Sequence, residues 1–267
     1  KDRESTARLV KRLCTEKAPA TIVAVGGDGT VNDVLNGLSN FENITFGYIP
    51  SGSGNDLARG LHLETDPEKA LERILSPTRT ESLRIGSVSA PAFSRRFLVS
   101  SGLGFDAAVC EGALHSRFKK FLNQLHLGKL TYTGIALKEL ILSHCPKAKL
   151  ILDEATVVEV PAMFFTAAMN LPYEGGGFQF CPKADPKDDL LDIIVVSGLS
   201  KFKILCLLPT AYKGKHTKFK GIYTYQCKSA KIESVQVLPV HTDGEADLRS
   251  DTATFALEPD RIRFIRS

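Results

Sequence analysis

No stretch of this 267-residue chain approaches the roughly 18 uninterrupted apolar residues that a membrane-spanning helix needs. The richest run, 190–199, is strand-sized and carries Asp192, Ser197 and Gly198. Cysteine is equally sparse: Cys14, Cys110, Cys145, Cys181, Cys206 and Cys227 stand 96, 35, 36, 25 and 21 positions apart, with no C-x-x-C pair. That spacing argues against a structural zinc site built from thiolates and is too thin for a disulfide scaffold. No secretory leader precedes the first periodic segment, so the expected setting is the reducing cytoplasm, with the thiols free and buried. The histidines His62, His115, His126, His144, His216 and His241 form no i, i+4 pair and no Ser/His/Asp arrangement, which leaves hydrolase chemistry without support. Positive charge is not in large excess either. Lys plus Arg exceed Asp plus Glu by 34 to 30, a net +4 that is too small for a general nucleic-acid binder.

What is present is a chain with 43% apolar and 24% charged residues, enough to fold around a sizeable core. It opens directly into a helical pattern (Ala7, Leu9, Val10, Leu13), so the natural protein is expected to begin earlier. The first part alternates helix and strand: helix 4–17, strand 21–25, a glycine loop, helix 31–38, strand 44–49, a second glycine loop and helix 56–61. This rhythm predicts a Rossmann-like parallel α/β domain. Asp66-Pro67 opens a further helix as N-cap and first-turn proline, and Pro77 follows its end near Leu75. Beyond residue 83 short β-branched and aromatic runs take over (85–88, 97–100, 157–161, 164–169, 193–196, 222–225 and 234–240), which predict an antiparallel β-sandwich. The expected domains are therefore 1–83 and 84–267, with the last strand, near 261–265, able to return to the first. Two basic amphipathic helices interrupt the strands: 113–143, with Lys119, Lys120, Lys129 and Lys138, and 201–213.

The two glycine loops carry the chemistry. Gly26-Gly27-Asp28-Gly29-Thr30 follows an apolar strand and precedes a helix, so bare amides and a helix amino terminus point at one spot, as an anion requires. Thr30 is expected to cap that helix, with Asp33 three residues on. The loop lacks the Walker A lysine and the G-x-G-x-x-G spacing, so neither motif applies. Ser51-Gly52-Ser53-Gly54-Asn55-Asp56 repeats the device at the next strand end, with Ser53 as expected cap. Adjacent parallel strands bring both loops to the carboxyl edge of one sheet, where open α/β folds bind ligands. Asp28 puts a carboxylate among the glycines, which suits a divalent cation or a reacting hydroxyl; the plainer alternative is a hydrogen bond within its own turn.

Residues 26–38 together with Pro50-Ser51-Gly52-Ser53-Gly54-Asn55-Asp56-Leu57-Ala58-Arg59 resemble the catalytic domain of diacylglycerol kinases, a group that includes sphingosine and ceramide kinases and bacterial lipid kinases. The likeness continues through Gly102-Leu103-Gly104-Phe105-Asp106-Ala107, Gly175-Gly176-Gly177, Pro182-Lys183-Ala184 and Asp188-Asp189-Leu190-Leu191-Asp192, and ends at Asp243-Gly244-Glu245. It implies an α/β nucleotide domain, a β-sandwich lipid domain and an ATP site in the cleft between them. It also implies nucleotide-binding roles for Gly26, Gly27, Asp28, Gly29, Thr30, Asn32, Ser53, Gly54 and Asn55, with Asp28 a second catalytic candidate beside a general base at Glu245. On spacing alone, Asp243-Gly244 reads instead as a type I′ hairpin turn with an exposed glutamate. Asp185, Asp188 and the Leu190 carbonyl form an oxygen-rich turn that is either a seat for a hard cation or a solvated acidic loop; the family places a structural Mg²⁺ there. The sequence departs from the family in three places. Asp188-Asp189 replaces Asp-Gly, Ser82 stands where many members have an aspartate, and an upstream strand with an Asn-Pro turn is absent.

Between Asp192 and Glu233 no acidic residue occurs, while Lys201, Lys203, Lys213, Lys215, Lys218, Lys220, Lys228 and Lys231 do. That 201–231 segment is expected to meet an anionic membrane surface, with Phe202, Leu205, Leu207, Leu208 and Tyr212 available at the interface or packed in the core. The expected function is an ATP- and Mg²⁺-dependent kinase acting on a diacylglycerol-like lipid, cytoplasmic and peripheral to the membrane, with a homodimer allowed. An NAD kinase-like enzyme and a catalytically inactive lipid or nucleotide sensor are the alternatives.

Overall fold

The computed structural model describes residues 3–115 and 128–266. Helix α1 (Arg3–Glu16) leads into β1 (Ala20–Gly26), α2 (Asp28–Gly37), β2 (Ile44–Pro50), α3 (Asp56–Gly60) and α4 (Pro67–Leu75). At α4 the expected cap is realised, since the Asp66 carboxylate accepts from the Glu68 and Lys69 amides. Strands β3 (Thr80–Ala90), β4 (Phe93–Phe97) and β5 (Ser100–Gly104) follow, then α5 (Phe105–His115), α6 (Gly128–Leu142), β6 (Ala148–Leu152), β7 (Thr156–Val160) and β8 (Met163–Met169). The chain ends with β9 (Leu191–Ser197), α7 (Lys201–Ala211), β10 (Ile222–Cys227), β11 (Ser229–Thr242) and β12 (Glu245–Ile265). Of the basic helix expected over 113–143, Lys119 and Lys120 lie outside the described residues, as does His126.

The β1–β2 pair is parallel and β12 joins it in parallel through Arg263↔Thr45 and Phe264↔Phe46. From β12 the sheet continues antiparallel through β11, β5, β8 and β9 to β10, while β3–β4 and β6–β7 branch from β12 and β11. An α/β unit and a sandwich-like unit with a mixed sheet are thus sewn together by β11 and β12, the two longest strands. Phe46, Phe264 and Leu35 centre the core of the first unit. In the second, successive residues of β9 point to opposite cores, Leu191, Ile193 and Val195 to one and Ile194 and Val196 to the other. Burial on both faces explains why β9 reads as an unbroken apolar run instead of alternating.

The strand expected over 97–100 is where the structure breaks between β4 and β5. The amides of Leu98, Val99 and Ser100 turn toward a side chain, Asp243, instead of a neighbouring strand. None of the cysteines is in a disulfide; Cys206 is exposed and only Cys14, Cys181 and Cys227 are buried. No helix among the described residues is long and apolar enough to cross a membrane.

Candidate active site

Because β1 and β2 are in register from Ala20↔Ile44 to Gly26↔Pro50, both glycine loops leave the sheet at the same edge and touch. The Ser51 amide donates to the Gly26 carbonyl at 2.8 Å. A Cβ on Gly52 would stand 2.4 Å from the Gly27 Cα, so this crossing of backbones admits no side chain. Tyr48 braces the crossing from below, its hydroxyl 3.2 Å from both the Gly26 carbonyl and Asn55 Oδ1.

Helix α2 starts at Asp28, three residues earlier than the sequence pattern suggests, which corrects the capping scheme. Thr30 lies inside the first turn with its amide bonded to the Gly27 carbonyl at 3.0 Å, and Gly27 occupies the N-cap with no side-chain cap. The N-cap residue itself therefore covers none of the partial positive charge at the amino terminus of α2. Ser53 does not cap α3 either. Its N-cap is Asn55, at φ +51°, and the capping oxygens come from across the cleft: Asp28 Oδ2 and Oδ1 accept from the Asp56 and Leu57 amides, each at 3.2 Å. A Cβ on Gly54 would sit 2.9 Å from Asp28 Oδ2, so glycine leaves room for this reach. Asp28 thus links the two loops, and Ser53 remains exposed at the rim.

The two asparagines hold the loops from behind. Asn55 Oδ1 accepts from the Gly52 amide at 3.0 Å and its Nδ2 donates to the Gly52 carbonyl at 2.9 Å. Asn32 is wholly buried; its Nδ2 donates to the Arg96 carbonyl (3.0 Å) and Asp243 Oδ2 (2.9 Å), and its Oδ1 accepts from Arg95 Nη2 at 2.8 Å. Both ends of each amide are engaged within the protein, so each side chain braces a loop.

Asp243 and Gly244 have φ of +49° and +83°, and Thr242 pairs with Glu245. The Asp-Gly hairpin turn is therefore real. It is also locked: beyond Asn32, the buried Asp243 carboxylate accepts from Val99 (2.8 Å), Ser100 (3.1 Å) and Leu98 (3.1 Å) amides. This anchoring aims the next residue back at the first loop. A Cβ on Gly29 would lie 2.1 Å from Glu245 Oε1, so residues 216 positions apart in sequence meet face to face, and Glu245 is half-buried instead of exposed.

Acid accumulates here. Burial raises Asp28 against the pull of its backbone hydrogen bonds. Burial, helped by the charge of Asp28, pushes Asp56 up to about 6 although Arg59 and the Gly176 amide (2.8 Å) bond its carboxylate. Two carboxylates held in reluctant proximity favour a cation between or near them. The second acidic turn is ordered by its own backbone: Asp185 Oδ1 accepts from the Lys187 amide at 3.1 Å and Asp188 Oδ1 from the Leu190 amide at 3.0 Å. Burial and the nearby Asp188 lift Asp192 to about 6. An oxygen-only donor set whose charge lifts a neighbouring carboxyl fits a hard divalent ion. The substituted Asp189 has its own task, joining Arg84 of β3 and Arg261 of β12 and so tying the turn to these two strands.

Sequence reasoning missed Asp56 and Asp243 as charged partners and missed a buried group altogether. His241, Asp106 and Glu174, which no sequence spacing connects, have their polar atoms within 4.8 Å of one another beneath the Asp243–Gly244 turn. On α7, Phe202 and Leu205 are exposed beside Lys201 and Lys203, and Tyr212 at its end is exposed though stacked on Phe178, whereas Leu207 packs against the core and Ile204 is buried.

Comparison with known proteins gives two family matches. The diacylglycerol kinase catalytic domain matches residues 1–88, and the YegS C-terminal NAD kinase beta sandwich-like domain matches residues 99–266. A diacylglycerol kinase of Mycobacterium tuberculosis is 31% identical over 242 residues, covering 90% of this chain and 74% of that protein. YtlR of Bacillus subtilis is 29% identical over 256 residues, covering 91% and 79%. Among solved structures, a diacylglycerol kinase of Bacillus anthracis superposes with a TM-score of 0.70 at 20% identity, covering 100% of this chain and 83% of that one, a likeness of fold.

Proposed function

The chain belongs to the diacylglycerol kinase family of lipid kinases, and from that premise we propose that it moves the γ-phosphate of ATP to the free hydroxyl of a diacylglycerol, giving phosphatidate. The observation that carries this reading is Glu245 standing over Gly29, a carboxylate contributed by one unit at the phosphate-type loop of the other. Phosphoryl transfer asks mainly for positioning and charge neutralisation. The uncapped amino terminus of α2, with Gly27, Gly29 and Thr30, and the rim at Ser53 and Gly54 hold the triphosphate. Glu245 accepts the proton of the lipid hydroxyl as its oxygen bonds to the γ-phosphorus and ADP departs. Asp28 takes part by fixing the second loop against the first, and Asn32 and Asn55 keep both loops in place. Mg²⁺, when bound, supplies bridging and neutralisation of phosphate charge; the raised Asp28 and Asp56 carboxyls suit its presence beside the loops. Asp185, Asp188 and the Leu190 carbonyl would hold a second, structural ion.

The lipid acceptor lies in a bilayer. Exposed Phe202, Leu205 and Tyr212 among the lysines of the 201–231 segment support docking on an anionic leaflet, peripheral and from the aqueous side. An acceptor screen with labelled ATP tests the proposal: diacylglycerol, ceramide and sphingosine in mixed micelles, and NAD in solution. Label in the diacylglycerol band is expected. Transfer to NAD alone, or none to any acceptor while ATP still binds, would overturn it.

A further inference from the structure

Strand β11 pairs with β5 through Val240↔Leu103, His241↔Gly102 and Thr242↔Ser101. Register puts the His241 ring on the same face of the sheet as position 102. A Cβ at Gly102 would stand 2.2 Å from Asp106 Oδ2, so glycine leaves the space through which Asp106, in the first turn of α5, reaches the ring. His241 is wholly buried. Its Nε2 lies 3.1 Å from Asp106 Oδ2 and 3.3 Å from Glu174 Oε1, and its Nδ1 lies 3.3 Å from the Gly244 amide. Ser101 Oγ donates to the His241 carbonyl at 2.6 Å, fixing the backbone from which the ring projects.

These contacts define one tautomer. An amide can only donate, so while it bonds Nδ1 that nitrogen offers a lone pair, and the one proton of the neutral ring sits on Nε2, facing Asp106 and Glu174. With its proton on Nε2 the ring has no lone pair facing Asp106 and Glu174, so a metal held by all three would require the Gly244 bond at Nδ1 to break. The cluster is separate from the Asp243 anchor. Asp243 holds the turn to β5 and the preceding break, whereas His241 alone grips the amide of Gly244, the residue that directly precedes Glu245.

We propose that His241, oriented by Asp106 and Glu174, is a positioning residue for Glu245, its Nδ1 fixing the Gly244 amide and so the direction in which the carboxylate leaves the turn. The inference rests on the assignment of Glu245 as the base. Burial opposes a charge on the ring while Glu174, Asp106 and Asp243 favour one, and only the neutral ring can accept from the Gly244 amide. Glu174 Oε2 lacks a hydrogen-bond partner among the described residues, while Oε1 faces the ring. Glu174 also shares a loop with Gly176, whose amide bonds Asp56, so the second glycine loop and the base-bearing turn are connected through one short segment.

Two substitutions separate the two ends of the ring. In His241→Asn the side-chain oxygen falls where Nδ1 was and still accepts from Gly244. In His241→Gln the amide reaches the carboxylates, but nothing faces the turn. Glutamine is expected to lower kcat about 10- to 100-fold, the usual worth of a residue that orients another, with KM for ATP within about two-fold. Asparagine is expected to restore most of that loss. Combined with Glu245→Gln, glutamine at 241 should cost nothing further, since it acts only through the missing base. Thermal melts confirm that each variant is folded before rates are compared. Equal losses in both single variants, or a loss that adds to that of Glu245→Gln, would overturn the positioning role while leaving the base intact. A silent Glu245→Gln would instead sink the base assignment.

Discussion

At the scale of single residues, the site is built from carboxylates held where water would not choose to leave them. Asp56 is 8% exposed and raised to about 6 from 3.8 by burial, the charge of Asp28 adding to it. A carboxyl whose folded pKa lies above its unfolded value stabilises the native state below the unfolded value, and loses that contribution as pH rises through the folded one. Asp56 should therefore destabilise the ligand-free protein above pH 6. Asp56→Asn is expected to raise stability at pH 8 by about 1–3 kcal/mol, the shift of roughly two units at 1.36 kcal/mol each being the upper limit, with the gain vanishing near pH 4. Urea unfolding at the two pH values measures it; a variant less stable at pH 8 would show that the Gly176 and Arg59 bonds outweigh desolvation. The opposite holds at Asp243, whose removal leaves three amides without an acceptor and Asn32 with one acceptor fewer. Asp243→Ala should lose at least about 1–3 kcal/mol, the cost of buried donors left unmet, read from the urea midpoint.

At the scale of elements, glycine contacts decide which parts may move. Gly52→Ala adds a methyl 2.4 Å from the Gly27 Cα, so the loops must part. KM for ATP should rise at least about ten-fold while kcat changes less, because the base is untouched. An unchanged KM would remove the second loop from the nucleotide site. Most elements were legible from periodicity: helices and strands of the first unit fall within a few residues of the expected bounds, and Asp66-Pro67 capped its helix as the local chemistry required. Thr30 and Ser53 were read as caps and 97–100 as a strand from local pattern, whereas Gly27 takes the first N-cap, Asp28 accepts from the Asp56 and Leu57 amides, and Asp243 from those of Leu98, Val99 and Ser100, carboxylates that arrive from other elements. Asn32 and Asn55 were legible as part of the motif but not as braces, since a motif does not reveal which way a side chain turns.

At the scale of the whole molecule, β11 and β12 make one body of two units, and their shared turn delivers Glu245 to a loop encoded over two hundred positions earlier. The cluster of Asp106, Glu174 and His241 was invisible in sequence for the same reason, each residue coming from a different segment. Docking on a bilayer should depend on charge. At about 1 kcal/mol for each lysine near an anionic surface, Lys203→Glu with Lys213→Glu should weaken sedimentation with phosphatidylserine vesicles by at least an order of magnitude, and salt should mimic the effect. Binding indifferent to both would contradict the electrostatic picture. The central claim, that the paired glycine loops and Glu245 form one phosphotransfer centre, is tested most directly by single-turnover transfer of labelled phosphate from ATP to diacylglycerol, wild type against Glu245→Gln. The account predicts a rate lower by about 10²- to 10⁴-fold in the variant with ATP affinity nearly unchanged; equal rates in the two proteins would contradict it.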